Sequence, residues 1–245
     1  LDLASSYRNN NIAWYQNYDG KGNFSTHIIL TAATNAANFV LGGDFNGDGW
    51  FDLASSSYDN SKIAWYNNTD GKGNFSTQLV ITNNAPGANS LAIGDLNGDN
   101  HLDLISANNV GNSIYWYNNT DGCGNFSTGI PVTLQAQGAS SVAAGDINGD
   151  GWIDLASASE LDDKIAWYQN LNGKGQFSNE IIVTKGADEA RGVVMGNFGS
   201  GRLDLVSASF NDGIIGLYVN LGGCCPHRGH GTTDNVHCSA CTPGR

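Results

Sequence analysis

The sequence repeats itself every 51 residues, and this period limits what the chain can fold into more than any other feature. Trp14, Trp65, Trp116 and Trp167 stand at that step, each within Ile-Ala-Trp-Tyr or Ile-Tyr-Trp-Tyr, and the same step carries Asp44 to Asp95 to Asp146. Gly22-Asn23-Phe24 returns as Gly73-Asn74-Phe75, Gly124-Asn125-Phe126 and Gly175-Gln176-Phe177. A unit of this size cannot bury an apolar face alone, so the repeat implies an array of like modules stacked on one another.

Within one unit, residues 90–134, the order is a short apolar run (Leu91-Ala92-Ile93), an acidic loop (95–103), Leu104-Ile105-Ser106 and a polar turn (108–112). A second hairpin follows, with arms at 113–117 and 126–134 around Asp121-Gly122-Cys123-Gly124. Runs of β-branched and aromatic residues punctuated by Gly, Asn and Asp read as antiparallel strands joined by tight turns. Four such strands in about 50 residues, repeated, is the pattern of propeller blades. The expectation is an all-β propeller of four-stranded antiparallel blades, with Ile114 and Trp116 of the third strand packing on the next blade.

Leu1-Asp2-Leu3 corresponds to Phe51-Asp52-Leu53, and Ile215-Gly216-Leu217-Tyr218 is a fifth copy of the third strand. At least five blades are therefore represented in residues 1–222, the outer two incomplete. With neither an initiating Met nor a signal-like start, the chain reads as a mature product or a fragment.

Composition agrees with this outline. The 245 residues include 33 glycines but only 4 prolines and 1 methionine, which suits short strands and turns, and a hydrophobic fraction of 40% is ample for a core. A net charge of −12, with 11 scattered Lys and Arg, argues against a nucleic-acid partner, because phosphate backbones are held mainly by those cations. No apolar stretch is long enough to give the chain a transmembrane segment.

The acidic loops carry the chemistry. Asp44-Phe45-Asn46-Gly47-Asp48-Gly49-Trp50-Phe51-Asp52 is matched by a loop with Asp95, Asn97, Asp99, His101 and Asp103, and by one with Asp146, Asn148, Asp150, Trp152 and Asp154. Each places oxygen side chains at positions one, three, five and nine, as in the first part of an EF-hand loop, with the backbone carbonyl of Trp50, His101 or Trp152 filling position seven. Hard oxygens in a flexible shell suit calcium better than magnesium. Three bound calcium ions would offset about half of the net charge of −12. In a fifth copy, Asn197-Phe198-Gly199-Ser200-Gly201-Arg202-Leu203-Asp204, the loop is one residue shorter and keeps one acid. It is expected to have lost its metal, with Arg202 pairing with Asp204.

Asp-x-Asn-Gly-Asp-Gly-x-x-Asp-Leu followed by Ile-Ala-Trp-Tyr and Gly-Asn-Phe-Ser resembles the FG-GAP or VCBS repeat family, known best from integrin α-subunit propellers. The resemblance covers roughly residues 1–222. It implies a propeller, commonly of seven blades, with calcium in the loop between the first two strands, and it assigns the same ligands: Asp44, Asn46, Asp48 and Asp52, then Asp95, Asn97, Asp99 and Asp103, then Asp146, Asn148, Asp150 and Asp154.

Asn-x-Ser/Thr occurs at Asn23, Asn74 and Asn125 in one phase of the repeat and at Asn67 and Asn118 in another. These are glycosylation sites or ordinary turn asparagines. Composition changes after residue 222, and residues 223–245 form a Cys-rich tail or the start of a second module. Cys224, Cys225, Cys238 and Cys241 lie there, read as disulfide-forming in an oxidising compartment, with zinc as the alternative. The tail resembles the opening of Cys-rich ephrin-receptor-like modules. Cys123, where the sister repeats have lysine, is free or bonded outside the chain.

The function expected is that of an extracellular scaffold for adhesion or structural assembly, secreted or at a cell surface or in a surface fibre, with protein or glycan ligands and possible self-assembly. The alternatives are a glycan-binding lectin and an accessory domain of a secreted enzyme. No nucleophile elbow, His-Glu-x-x-His or phosphate loop is present, so the chain is read as non-enzymatic.

Overall fold

The structure, a computed structural model, describes residues 2–7, 11–31 and 37–222. The Cys-rich tail lies outside the described residues, and with it Cys224, Cys225, Cys238 and Cys241. The described chain contains eighteen strands and no helix, hence no helix long and apolar enough to cross a membrane.

The strands form five successive antiparallel sheets. The first has β1 (Leu3–Tyr7), β2 (Asn11–Tyr15) and β3 (Ile28–Thr31). The second has β4 (Ala37–Gly43), β5 (Asp52–Ser57), β6 (Lys62–Tyr66) and β7 (Leu79–Thr82). The third runs through β8 (Ala88–Gly94), β9 (Asp103–Asn108), β10 (Ser113–Tyr117) and β11 (Ile130–Thr133). The fourth consists of β12 (Ala139–Gly145), β13 (Asp154–Ser159), β14 (Lys164–Tyr168) and β15 (Ile181–Thr184). The last has β16 (Ala190–Gly196), β17 (Asp204–Ser209) and β18 (Ile215–Tyr218). In every sheet the order in space is the order in sequence. These are the expected blades, complete in the middle three and three-stranded at either end. They follow one another in an open succession, the first strand of each complete blade packing against the blade before it.

The second strand of a complete blade departs from simple alternation. β5, β9 and β13 are buried at every residue, because a blade inside the array has a neighbour on both faces. Their Ala and Ser content follows: small side chains let three layers approach, and the serine hydroxyls find partners, as in Ser157 Oγ to the hydroxyl of Tyr168 at 3.2 Å. The bulky residues gather between blades. Ile105, Ile114 and Trp116 of the third blade meet Val142, Leu155 and Tyr168 of the fourth.

A bulge recurs near the start of the inner strands, between Ala37 and Phe39, Ala88 and Ser90, Ala139 and Ser141, and Ala190 and Gly192. The extra residue re-aims a polar side chain across the blade boundary. Asn38 donates to the side chain of Asn89, Asn89 Nδ2 to the carbonyl of Ser140 at 2.6 Å, and Ser140 Oγ to the carbonyl of Ala190 at 2.6 Å. This stitches successive inner strands together.

Candidate metal centres

Each acidic loop joins the first two strands of its blade and is folded by its own side chains. Asp44 straddles the turn, one carboxylate oxygen accepting from the N–H of Gly47 and the other from Gly49, both at 2.8 Å. Asp95 does the same for Gly98 and Asn100, and Asp146 for Gly149 and Gly151. The backbone there is left-handed: φ is +74° at Gly47 and +87° at Gly49, which is why Gly, or Asn at position 100, occupies these places. Asn46, Asn97 and Asn148 accept from the N–H two residues on, as do Asp48, Asp99 and Asp150. Positions one, three and five are thus ordered by the loop itself.

Position nine is different. Asp52, Asp103 and Asp154 are fully buried at the start of the second strand. One oxygen of Asp103 accepts from the N–H of Leu96 and the other from Asn119, both at 2.9 Å; Asp52 and Asp154 are bound alike. The carboxylate bolts the loop to the end of the third strand. Burial, aided by the neighbouring acids, pushes Asp103 and Asp154 up to about 6, and moves Asp52 in the same direction. No ion pair reaches any of the three among the described residues.

The residues fit a hard cation. Every loop lacks positive charge at a buried carboxylate, and a carboxylate or amide oxygen that accepts one N–H keeps a second lone pair. As the loops stand, no three acidic, imidazole or thiol side chains of the described residues converge on one point. The donor set that fits is therefore the mixed one, with an amide oxygen and a backbone carbonyl beside the carboxylates.

The degenerate loop keeps the bolt without the acids. Asp204 accepts from the N–H of Phe198 at 3.0 Å and of Asn220 at 2.7 Å. Burial opposes its ionisation, yet these bonds and the Ser200 hydroxyl hold it below the ordinary carboxylate range. The expected Arg202–Asp204 pair is not formed. The guanidinium lies against Gly222 and reaches the carbonyl of Asn148 in the preceding loop at 3.5 Å, because both oxygens of Asp204 are already engaged by backbone.

Position seven has a second use. The ring of Trp50 lies on Gly71, His101 on Gly122 and Trp152 on Gly173, so close that a Cβ at these glycines would stand 2.4–2.6 Å from the ring. The loop and the outer hairpin of a blade are thereby seated on one another.

Four residues that the sequence reading passed over connect these parts. Asn68, Asn119, Asn170 and Asn220 each give their N–H to the position-nine aspartate, and each donates from Nδ2 to the carbonyl just before it. The signal was present: an asparagine stands three residues after each repeat tryptophan, and after Leu217 in the fifth copy.

The sequon asparagines divide. Asn23, Asn74 and Asn125 are exposed on the hairpin turns, where Asn23 and Asn125 donate to Asp19 and Asp121. Asn67 and Asn118 are half-buried, their N–H groups bound by the hydroxyls of Ser76 and Ser127. Cys123 is exposed on its turn, with no sulfur partner among the described residues.

Blades of this topology, with an ordered oxygen-rich loop between the first two strands of each complete blade, define a β-propeller type of repeat. The chain belongs to the FG-GAP-like repeat family, whose sequence profile matches residues 1–55, 44–106, 95–157 and 146–206. No match was found among curated protein sequences. Among solved structures, one similar chain is an Agrocybe aegerita lectin that recognises non-reducing terminal N-acetylglucosamine; it is 18% identical over 91% of this chain and 63% of its own, with a TM-score of 0.59. Another is the K499G mutant of the NanB sialidase of Streptococcus pneumoniae, 10% identical over 82% of this chain and 32% of that one, TM-score 0.58. A third is the Vibrio cholerae biofilm matrix protein Bap1, 20% identical over 90% and 34%, TM-score 0.50. The chain spans less than two thirds of each of these structures, and at such identities the likeness is one of fold.

Proposed function

We propose that this protein is an extracellular scaffold for adhesion or surface assembly, its blades braced by three calcium ions and its outer surfaces presented to protein or glycan partners. The observation that carries the reading is the set of three in-register loops, each with two ordered carboxylates, an amide oxygen and a buried, uncompensated position-nine aspartate. Calcium would be held by Asp44, Asn46, Asp48, Asp52 and the Trp50 carbonyl, and by the corresponding residues from Asp95 and from Asp146. When bound it supplies positive charge to the loop and takes no part in a reaction. The biofilm matrix protein and the lectin with this fold support a surface role, and the absence of a recognisable catalytic constellation in the sequence supports a non-enzymatic one.

A carbohydrate partner is favoured by one further feature. Between the first and second blades lies an open cleft of about 710 Å³, bordered by Asp2, Trp14, Trp50, Phe51, Asn68 and Gly71. That volume falls in the range of small-ligand sites, and the half-exposed Trp50 offers an aromatic ring beside the exposed Asp2 carboxylate, a combination that stacks on and hydrogen-bonds a sugar. On an array of immobilised glycans with calcium present, the protein is expected to bind a restricted set, and Trp50→Ala to lower that signal at least about tenfold, the scale of a lost stacking contact of 1–3 kcal/mol. Binding to no glycan would remove the carbohydrate reading and leave protein partners.

A further inference from the structure

The asparagine that ends each third strand also reaches outside its own blade. Asn119 Nδ2 donates to the carbonyl of Phe45 at 2.8 Å, Asn170 Nδ2 to Leu96 at 2.8 Å and Asn220 Nδ2 to Ile147 at 2.7 Å. Phe45, Leu96 and Ile147 occupy position two of the three acidic loops, and their side chains are buried as plugs beneath them. Every acidic loop is therefore gripped at the same carbonyl by the following blade. This carbonyl lies between the first two proposed oxygen ligands, so the grip fixes the separation of positions one and three.

The last of these contacts comes from a blade whose own loop is not proposed to hold an ion. Asn119 and Asn170 serve the loop of their own blade and that of the preceding one. Asn220 belongs to a blade whose own loop keeps only the position-nine aspartate and is one residue shorter than its sisters, yet it keeps the contact to Ile147, and Arg202 adds one to the carbonyl of Asn148. The fifth blade lacks the acids at positions one and five and keeps the clamp.

We propose that Asn220, and with it Asn119 and Asn170, is a positioning residue for the cation loop of the preceding blade, so that affinity at one loop is set partly by the blade that follows. The inference rests on the calcium reading above. Partners one shell removed from a metal typically alter its affinity 10–100-fold. Its test uses the full chain carrying Asp44→Ala and Asp95→Ala, which leaves only the loop 146–154, titrated with calcium by calorimetry and with terbium by luminescence excited through Trp152. Adding Asn220→Ala is expected to weaken both ions about tenfold or more. In the otherwise unmodified chain, the same substitution should weaken one of three sites and leave two unchanged, a split that general loss of stability would not produce.

A second measurement needs no change at Asn220. Calcium added to the chain with Asp44→Ala and Asp95→Ala should shift the side-chain amide resonances of Asn220, in a blade that binds no ion itself. Unaltered affinity in the Asn220→Ala chain, or an Asn220 amide indifferent to calcium, would overturn the proposal while leaving the calcium sites standing. Failure of the unmodified chain to bind calcium would overturn both.

Discussion

Stripped of divalent cations, the protein is expected to melt about 15 °C or more below its calcium-loaded form. Chelation leaves the carboxylates at positions one and five of each loop close together and a third carboxylate buried beneath them, with Asp103 and Asp154 already resisting ionisation. At a free calcium concentration 100-fold above the dissociation constant, one site adds about 2.7 kcal/mol. Three sites acting on a chain of this size, at about 2–4 °C per kcal/mol, account for the shift. Calorimetric scans at low salt, with calcium and with chelator, measure it; coincident midpoints would show that the loops brace themselves.

The second large effect is expected at Gly124, where a valine should cost more than about 3 kcal/mol. Gly124 has φ +84°, and a Cβ built on it would stand 2.2 Å from the ring of Trp65 in the preceding blade. Backbone strain and overpacking each contribute about 1–3 kcal/mol. Neither relaxes easily, because Trp65 is wedged within the core and packs edge-on to Phe45 with ring centres 6.1 Å apart. Gly20 has φ +66° with open space around it, so Gly20→Val isolates the backbone part and should cost markedly less. Denaturant unfolding of both variants, with calcium held constant, gives the comparison; equal losses would mean that the Trp65 contact is inconsequential.

The two effects concern parts of the molecule that differed in how readily the sequence disclosed them. Strand order and the place of the acidic loops followed from the 51-residue period, because each blade is a local unit whose turns are marked by its own Gly, Asn and Asp. The shortened fifth loop was equally plain by comparison with its sisters. What joins blades was not, since the partners stand 50 to 74 residues apart and nothing within one repeat marks them. Asn119 drew no notice in the sequence and is a junction of its own aspartate, its own loop and the carbonyl of Phe45. Trp65 looked like core and is also the seat of the next blade's hairpin turn at Gly124. Arg202 looked like a partner for Asp204, but backbone N–H groups had satisfied that carboxylate, and the guanidinium turned toward the neighbouring loop.

The position-nine aspartates explain how a blade without the other loop acids keeps its shape. Their carboxylates bind two backbone N–H groups, and Asp204 does the same in a loop without other acids. The second to fifth blades all keep that bolt, whereas the fifth dispenses with the acids at positions one and five, which in the other loops order the turn and are proposed to hold the ion. The most direct test of this division is the number of calcium ions retained per chain, by elemental analysis after dialysis against micromolar calcium. Three ions are predicted, falling to two with Asp146→Ala and remaining three with Asp204→Asn; no retained calcium, or a fourth ion lost with Asp204→Asn, would contradict it.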